Sequence, residues 1–432
     1  MSYYAVGVLT VAYVLSFIDR TILALLVAPI RADLGISDTQ LSLLHGLAFA
    51  IFYTTLGIPI ALLADRLNRR NIIAAGIAVW SLATAVCGLT RSFAQLFLAR
   101  VAVGVGEAAL SPAAYSMIAD LFPRERLGRA LGIYNVGAFA GAGLAFLIGG
   151  AVIAAVAQAG AVHLPVLGEV RSWQLVFFIV GLPGLLVALW VLTLAEPARR
   201  VEASTDGLSS RLAACLGHMR QHWQAYATHL VGFTLIGLVF NATLAWMPTH
   251  LIRNHGLATA DAAFGVGMAL LVMGSAGVMA GGLLTDRLDS RGPGDGALKV
   301  GLLSACLSLP LATACTLMPN ATLTLGLYAG LVFATTLPFG AAAAAIQVIT
   351  PTGMRATASA IYLFLLNLVG LGAGPTLVAM TTDFLFADDL AVGRSVALVG
   401  TLAALPAIGL FLWGLPHYRK IANAGQGSKR GE

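Results

Sequence analysis

Charge is scarce in this chain. Of 432 residues only 10% are Asp, Glu, Lys or Arg, while 59% belong to the hydrophobic set AVILMFWYC. A soluble domain carries about 25% charged residues because its surface must be hydrated. At a mean hydropathy of +0.88, polar groups cannot cover a globule, so most of the outside must face hydrocarbon. That excludes a soluble enzyme, a nucleic-acid binder and a disordered scaffold. Cysteine is scarce too: Cys87, Cys215, Cys306 and Cys315 form no CxxC pair, so no disulfide framework and no metal site is expected. No Walker sequence occurs, which excludes ATP as the energy source and leaves an ion or substrate gradient; no cofactor is implied. The net charge of +6 is spread between apolar stretches, so it reports membrane topology and not a nucleic-acid partner.

A spanning helix needs roughly 20 mostly apolar residues. Twelve stretches qualify, at about 5–28, 40–63, 71–90, 94–119, 128–156, 173–195, 226–250, 261–285, 298–317, 321–349, 354–384 and 392–415. The first begins almost at Met1 with no basic lead and no cleavage site, which predicts a retained helix and not a signal peptide. With the N-terminus cytoplasmic and every stretch crossing, eighteen Lys and Arg fall inside, five fall outside (Arg31, Arg91, Arg171, Arg253, Arg394), and Arg20 and Arg100 remain within stretches. This is the expected positive-inside asymmetry; an odd helix number would scramble it. Both termini are therefore placed in the cytoplasm, and the short loops suggest a bacterial inner membrane.

The longest polar stretch, Glu196 to His222, divides the helices into two sets of six. The expected organisation is an N-terminal six-helix bundle over 1–195, a cytoplasmic linker over 196–225, a C-terminal bundle over 226–416 and a basic cytoplasmic tail over 417–432. An internal repeat supports the division: Ala61-Leu-Leu-Ala-Asp65-Arg66-Leu-Asn-Arg-Arg70 closes the second stretch, and Gly282-Leu-Leu-Thr-Asp286-Arg287-Leu-Asp-Ser-Arg291 closes the eighth. Two six-helix halves around a midplane site is the plan of many secondary carriers.

The Asp-Arg-x-x-x-Arg element resembles the helix 2–3 signature of the major facilitator superfamily, and the resemblance extends over the twelve-helix layout. It implies an all-α integral membrane protein with two pseudo-symmetric six-helix bundles, acting as a monomer by alternating access. A carboxylate such as Asp65 at a helix end can accept backbone N–H groups from the start of another helix; by analogy that partner is the start of the eleventh helix, near Pro351 to Arg355. On the same analogy Arg66 pairs with Asp120, together with Arg129, and Asp286 and Arg287 repeat the arrangement. With Arg70 and Arg355 these residues would form a cytoplasmic gate. A loop that merely obeys the positive-inside rule is the plainer alternative.

Only four charged side chains sit well within the stretches: Asp19, Arg20, Arg100 and Glu107. Each costs roughly 2.5–3.5 kcal/mol at a helix centre on insertion scales, which makes it a functional candidate. Arg100 and Glu107 lie two turns apart on one face, about 10 Å along the axis, and Asp19-Arg20 lies at matching depth. Arg20 and Arg100 offer forked donors suited to phosphate or carboxylate. Glu107, drawn towards protonation by desolvation and away from it by the arginines, suits a group that binds a proton in one access state and releases it in the other. An ion-pair knot between Asp19 and Arg100 is the structural alternative.

The surroundings of these charges, Ser16-Phe-Ile-Asp19-Arg20, Arg100-Val-Ala-Val-Gly104-Val-Gly106-Glu107, Ser111-Pro112, Ala119-Asp120-Leu-Phe-Pro123 and Arg171-Ser-Trp173, resemble Spinster-type transporters over the N-terminal half. That resemblance implies proton-coupled transport of an amphipathic lipid with an anionic or zwitterionic head, a lysophospholipid or a sphingosine-1-phosphate-like molecule. On that reading Asp19 and Glu107 couple protons, and Arg20 and Arg100 receive the head group. The anion:cation symporter family shares the helix-one Asp-Arg and the helix-four Arg…Gly…Glu and carries small organic acids. Drug/proton antiporters usually show a Gly-Pro element on helix five; here Asn135-Val-Gly137-Ala-Phe-Ala-Gly141-Ala-Gly143 keeps small residues for close packing but lacks the proline.

Further polar or aromatic residues within stretches are candidate cavity linings: Tyr53, Thr54, Tyr115, Tyr134, Asn135, Asn241, Trp246, Gln347, Tyr362 and Asn367. Such groups more often bond between helices than touch cargo. Gly104 and Gly106 are expected to pack against a neighbouring helix, since no strand precedes them as a dinucleotide loop would require. His45 reads as a lone titratable group, and Asp383 is expected to be solvated. A passive channel or lipid scramblase is the rival from another class, opposed by the paired gate motifs. An intramembrane enzyme is opposed by the lack of a recurring His/Asp/Ser or metal constellation. The expected partners are protons, membrane lipids and a lipid-like or organic-anion substrate.

Overall fold

The computed structural model describes residues 2–64, 67–157, 162–164, 168–197, 208–292 and 294–427. Among the described residues twelve helices are long and apolar enough to cross a membrane, and we number them as spans: 1 (Ser2–Leu25), 2 (Asp38–Gly57), 3 (Arg69–Cys87), 4 (Phe93–Leu121), 5 (Ile133–Val156), 6 (Ser172–Val191), 7 (Trp223–His255), 8 (Thr259–Asp289), 9 (Gly296–Leu317), 10 (Ala321–Ile349), 11 (Thr357–Phe386) and 12 (Asp389–Asn423). The protein is a multi-pass membrane protein. Spans 7 and 12, at 33 and 35 residues, outrun the apolar stretches that mark them, because a helix continues through polar turns that hydropathy does not register.

Two details add to the expected layout. A short antiparallel ladder pairs β1 (Val162–Leu164) with β2 (Gly168–Val170) between spans 5 and 6. A helix over Leu208–Gln221 occupies part of the expected linker. Its Cys215 and Met219 are buried, while Leu212 and Leu216 are exposed.

The halves repeat the same irregularities. Spans 4 and 10 are both 29 residues long, and both break near their middle: Phe93–Glu107 gives way to Leu110–Leu121, and Ala321–Thr336 to Pro338–Ile349. Pro112 lacks the N–H that would bond the Ala108 carbonyl, and Pro338 opens its segment at a position that needs no donor. Spans 2 and 8 each contain a π-turn, Leu43–Leu47 and Ala269–Gly274.

The chain forms two units. The first comprises Met1–Ala203, Ala245–Leu271 and Ala379–Leu390, and the second Ser204–Leu244, Val272–Val378 and Ala391–Glu432. Spans 7, 8 and 11 are thus shared, part of each belonging to either unit. In the second unit Phe233, Phe411, Leu298, Ile346, Tyr226 and Tyr418 form a continuous buried core, and Phe411 and Phe233 lie where a Cβ on Gly301 would sit. In the first unit backbone contact replaces side-chain bulk. A Cβ on Gly106 would come within 2.6 Å of the Trp80 nitrogen in span 3, and one on Gly104 within 2.9 Å of the Phe49 carbonyl in span 2. These two glycines therefore pack span 4 against its neighbours, as expected. Gly137 and Gly141 face span 1, while Gly143 meets Gly267 of span 8.

Candidate functional site

Span 1 is α-helical over Ser2–Thr21 and tightens to a 3-10 turn over Ile22–Leu25. A change of helix type displaces the regular ladder. Here the Asp19 carbonyl accepts Arg100 Nη1 at 2.9 Å. Arg100 Nε reaches the Leu44 carbonyl at 3.4 Å, within the π-turn of span 2. Arg100 is completely buried, and it ties two irregular backbone segments to span 4. This differs from the expectation that Arg100 offers its fork to a head group: Nε and Nη1 are turned onto backbone, and Nη2 is enclosed with no hydrogen-bond partner among the described residues. The expected side-chain knot with Asp19 is also replaced, since Arg100 holds the Asp19 carbonyl and not its carboxylate.

Arg20 behaves differently. Its Nε donates to Glu107 Oε2 at 2.5 Å, and its guanidinium carbon lies 4.6 Å from the Phe49 ring centroid, 4.8 Å from Tyr53 and 5.3 Å from Phe17. Three ring faces thus support the cation, each worth about 0.5–2 kcal/mol by cation–π attraction. The Arg20 side chain is 15% exposed against 0% for Glu107, while Asp19 and Arg100 are buried. Arg20 is therefore the member of the four that an incoming molecule can touch. The second carboxyl oxygen of Glu107 has no hydrogen-bond partner among the described residues.

Around this pair the sequence candidates divide. Tyr134 stacks on Tyr13 at 4.7 Å and meets Tyr115 edge-on at 5.3 Å. Tyr115 donates to Asn135 Oδ1 at 2.5 Å, and Tyr53 stacks on Phe49 at 5.1 Å. These residues form one aromatic wall with Arg20. Thr54 instead satisfies its own helix through the Ala50 carbonyl. Asn241 and Asn367 bond the Gly237 and Leu363 carbonyls of their own helices. Gln347 is exposed and Trp246 buried. Tyr362 is buried against His229, with ring centroids 4.9 Å apart, beside a small apolar cavity lined by Phe233, Ile236, Phe339, Tyr362 and Leu366. Asn241, Gln347, Tyr362 and Asn367 belong to the second unit.

Sequence reasoning passed over Tyr13, Phe17, Phe49 and His229. Tyr13 and Phe17 lie two turns and one turn before Arg20, and Phe49 one turn before Tyr53, so helical spacing from the singled-out residues was the available signal. His229 Nε2 lies 2.7 Å from the Ala342 carbonyl; nothing in the sequence distinguishes it.

Of the expected gate, Asp65, Arg66 and the Arg129 side chain lie outside the described residues. Asp120 is held by Arg69, a residue not singled out, at 2.5 Å. Arg69 also donates to Ser116 at 2.8 Å, Glu196 at 2.7 Å and the Pro197 carbonyl at 3.0 Å. The Arg70 backbone N–H donates to Glu196 at 3.0 Å, and its side chain to the Leu194 carbonyl at 3.1 Å. Span 3 is thus fastened to the ends of spans 4 and 6. Asp286 and Arg287 are exposed, and Arg355 donates to the Thr350 carbonyl at 3.2 Å. In the second half the corresponding junction, where span 9 begins, centres on buried Asp295, which accepts Lys299 at 2.8 Å and Arg419 from span 12. Burial alone would raise the Asp295 carboxyl, but Lys299 and Arg419 outweigh it and hold the group below the usual carboxylate range.

The opposite ends carry a second cluster. Asp38, fully buried, accepts both Arg253 nitrogens at 2.6 and 2.8 Å and Arg31 at 3.1 Å. Arg31 also reaches Asp389 at 2.8 Å. The Thr39 N–H donates to Asp383 at 2.7 Å, and Asn254 to the Leu390 carbonyl at 2.7 Å. Asp383, expected to be solvated, is therefore half-buried and bonded. Asp38, Asp383 and Asp389 approach within 4.8 Å of one another; Arg31 and Arg253 pair with Asp38 and Asp389, and Asp383 takes the Thr39 N–H.

The chain is 29% identical over 419 residues to an MFS-type efflux pump of Mycolicibacterium smegmatis, covering 96% of this chain and 92% of that protein. It is 28% identical over 295 residues to a probable L-galactonate transporter of Escherichia coli, covering 64% of this chain and 60% of that one. Its fold is similar to a crystal structure of a bacterial homologue of the human lysosomal transporter Spinster, in an inward-facing and unoccupied conformation. The TM-score is 0.77 at 27% identity, over 99% of this chain and 98% of that one. These relatives are transporters and not enzymes. With the model of the Major Facilitator Superfamily matching residues 9–375, the chain belongs to that superfamily and is a secondary transporter with Spinster homology.

Proposed function

We propose that the protein is a proton-coupled, alternating-access carrier of an amphipathic molecule with an anionic or zwitterionic head, of the lysophospholipid or sphingoid-phosphate class. The observation that carries this reading is the Arg20–Glu107 pair, 2.5 Å apart, in which the acid is enclosed and the base retains an open side. While Glu107 is ionised it neutralises Arg20. A proton on Glu107 removes that competitor and frees the guanidinium fork for a phosphate or carboxylate. By linkage an anion on Arg20 favours the protonated acid to the same extent, which couples the two cargoes. Asp19 shares the proton-coupling role. Arg100 shapes the site by fixing the backbone of spans 1 and 2. Tyr13, Tyr53, Tyr115 and Tyr134 supply apolar faces for the part of the cargo beyond its head. The cytoplasmic gate is assigned to Asp65, Arg66, Arg70, Asp120, Arg129, Asp286, Arg287 and Arg355, and the protein is placed in a bacterial inner membrane with both termini cytoplasmic.

The test is uptake into proteoliposomes under an imposed proton gradient. A lysophospholipid or sphingoid phosphate is expected to be transported, saturably and with counterflow. Transport of a hexuronate-like acid with no response to lysolipids would overturn the lipid assignment in favour of an organic-anion symporter, a reading favoured by the likeness to the galactonate transporter. Non-saturating flow without counterflow would overturn the carrier reading itself.

A further inference from the structure

The Asp19 carboxylate lies among groups of span 4 (Glu107, Arg100) and of span 3. Trp80 Nε1 and Thr84 Oγ1 lie beside it, one helical turn apart on a single face. Asp19 Oδ1, Trp80 Nε1, Ser81 Oγ and Thr84 Oγ1 are all buried, and none completes a hydrogen bond among the described residues. Residues Trp80, Ser81 and Thr84 are themselves completely buried. Enclosed polar groups are rarely left unbonded, because each costs about 1–3 kcal/mol. Two of these donors, Trp80 Nε1 and Thr84 Oγ1, lie beside one carboxylate without completing a hydrogen bond to it, and describe a receptor for a charge that is present in only part of a cycle.

We propose that Trp80 and Thr84 are positioning donors on span 3 that close onto Asp19 when its carboxylate is ionised and release it when it is protonated. This inference rests on the proton-coupling role given to Asp19 above. It assigns span 3, which carries no charged residue near mid-membrane, a part in deciding the pH at which coupling occurs. The other groups facing Asp19 are Arg100 and Glu107 of span 4 and Cys87 of span 3, with Arg20 next to it in span 1. His45 of span 2 faces Arg100. None of these is altered by substitutions at 80 and 84. Trp80 also carries packing, since its backbone nitrogen lies against Gly106, so Thr84 is the cleaner site.

The experiment is the pH profile of lysolipid uptake in proteoliposomes for the parent, Thr84→Val, Thr84→Ser, Trp80→Phe and Asp19→Asn. Valine keeps the shape of threonine and removes the donor. Loss of one donor to an ionised group should move the transport midpoint alkaline by about one pH unit, and Thr84→Ser should restore it. Trp80→Phe should move it the same way. A Thr84→Val variant that loses rate while keeping the parent midpoint overturns the inference and leaves Thr84 a packing residue. If Asp19→Asn keeps the full pH dependence, the coupling role of Asp19 fails, and this inference with it. If Asp19→Asn removes the dependence while Thr84→Val and Trp80→Phe leave the midpoint in place, only the span 3 assignment fails.

Discussion

Arg20 and Glu107 are separated by 87 positions in the chain yet define the chemistry at the smallest scale. On the proposed reading, a buried acid beside a guanidinium that is 15% exposed sets an internal and an external anion in competition for one fork. Glu107→Gln removes the internal competitor and the titration together. It should abolish the dependence of uptake on an imposed proton gradient while the protein still folds, judged by monodispersity in detergent. A variant that answers the gradient like the parent would remove Glu107 from the coupling role. Arg20→Ala should weaken a phosphate-headed lysolipid at least tenfold, the equivalent of about 1.4 kcal/mol, and a neutral monoacylglycerol far less. Binding measured by thermal shift separates the two; equal loss for both would remove the head-group assignment.

At the scale of elements, spans 3 and 4 are held by contact of backbone on backbone at Gly76 and Gly106. Gly106→Val places a side chain where the Trp80 nitrogen already lies, and overpacking of this kind costs about 1–3 kcal/mol. A lowered Tm in detergent is expected, whereas Gly57→Ala, with nothing within 4 Å of its new carbon, should leave Tm unchanged or slightly raised. Asp295 acts likewise where span 9 meets span 12. Its carboxyl is held below the ordinary value by Lys299 and Arg419, so its contribution is complete above about pH 3.9 and is lost as pH falls through the lower native value. Asp295→Asn should therefore destabilise the protein at pH 7 by about 1–2 kcal/mol, a discounted figure because Arg419 is 41% exposed. The gap in Tm between variant and parent should close below about pH 4; a gap that persists there would place the effect in packing.

At the scale of the molecule, the first unit includes the Arg31, Asp38, Arg253 and Asp389 cluster, which draws the segment before span 2, the end of span 7 and the start of span 12 together. Asp38 is fully enclosed, so removing Arg253 leaves its charge to Arg31 alone, which is shared with Asp389. Arg253→Gln should loosen these ends. Spin labels at exposed Gln95 and Leu390 should report a longer or broader distance distribution than in the parent. An unchanged distribution would mean that backbone contacts hold the ends without the ion pairs.

Much of this was legible in the chain. Apolar length marked twelve spans and the duplicated motif marked two halves, because a bilayer imposes helices of fixed minimum length whatever their contacts. The four intramembrane charges stood out for the same reason: hydrocarbon makes each too costly to be incidental. The sequence alone therefore determined the fold class and singled out the charges on which the proposed chemistry is built. Only the tertiary structure decided who partners whom. Arg20 and Arg100 read alike in sequence, but a 3-10 turn in span 1 and a π-turn in span 2 present carbonyls to Arg100 and leave Arg20 to Glu107 and three rings. Asp120 went to Arg69, and Asp383 acquired the Thr39 N–H. Pairings of this kind depend on helix rotation and on local slips of the backbone ladder, which are set by close packing between distant segments and leave no trace in spacing along one helix.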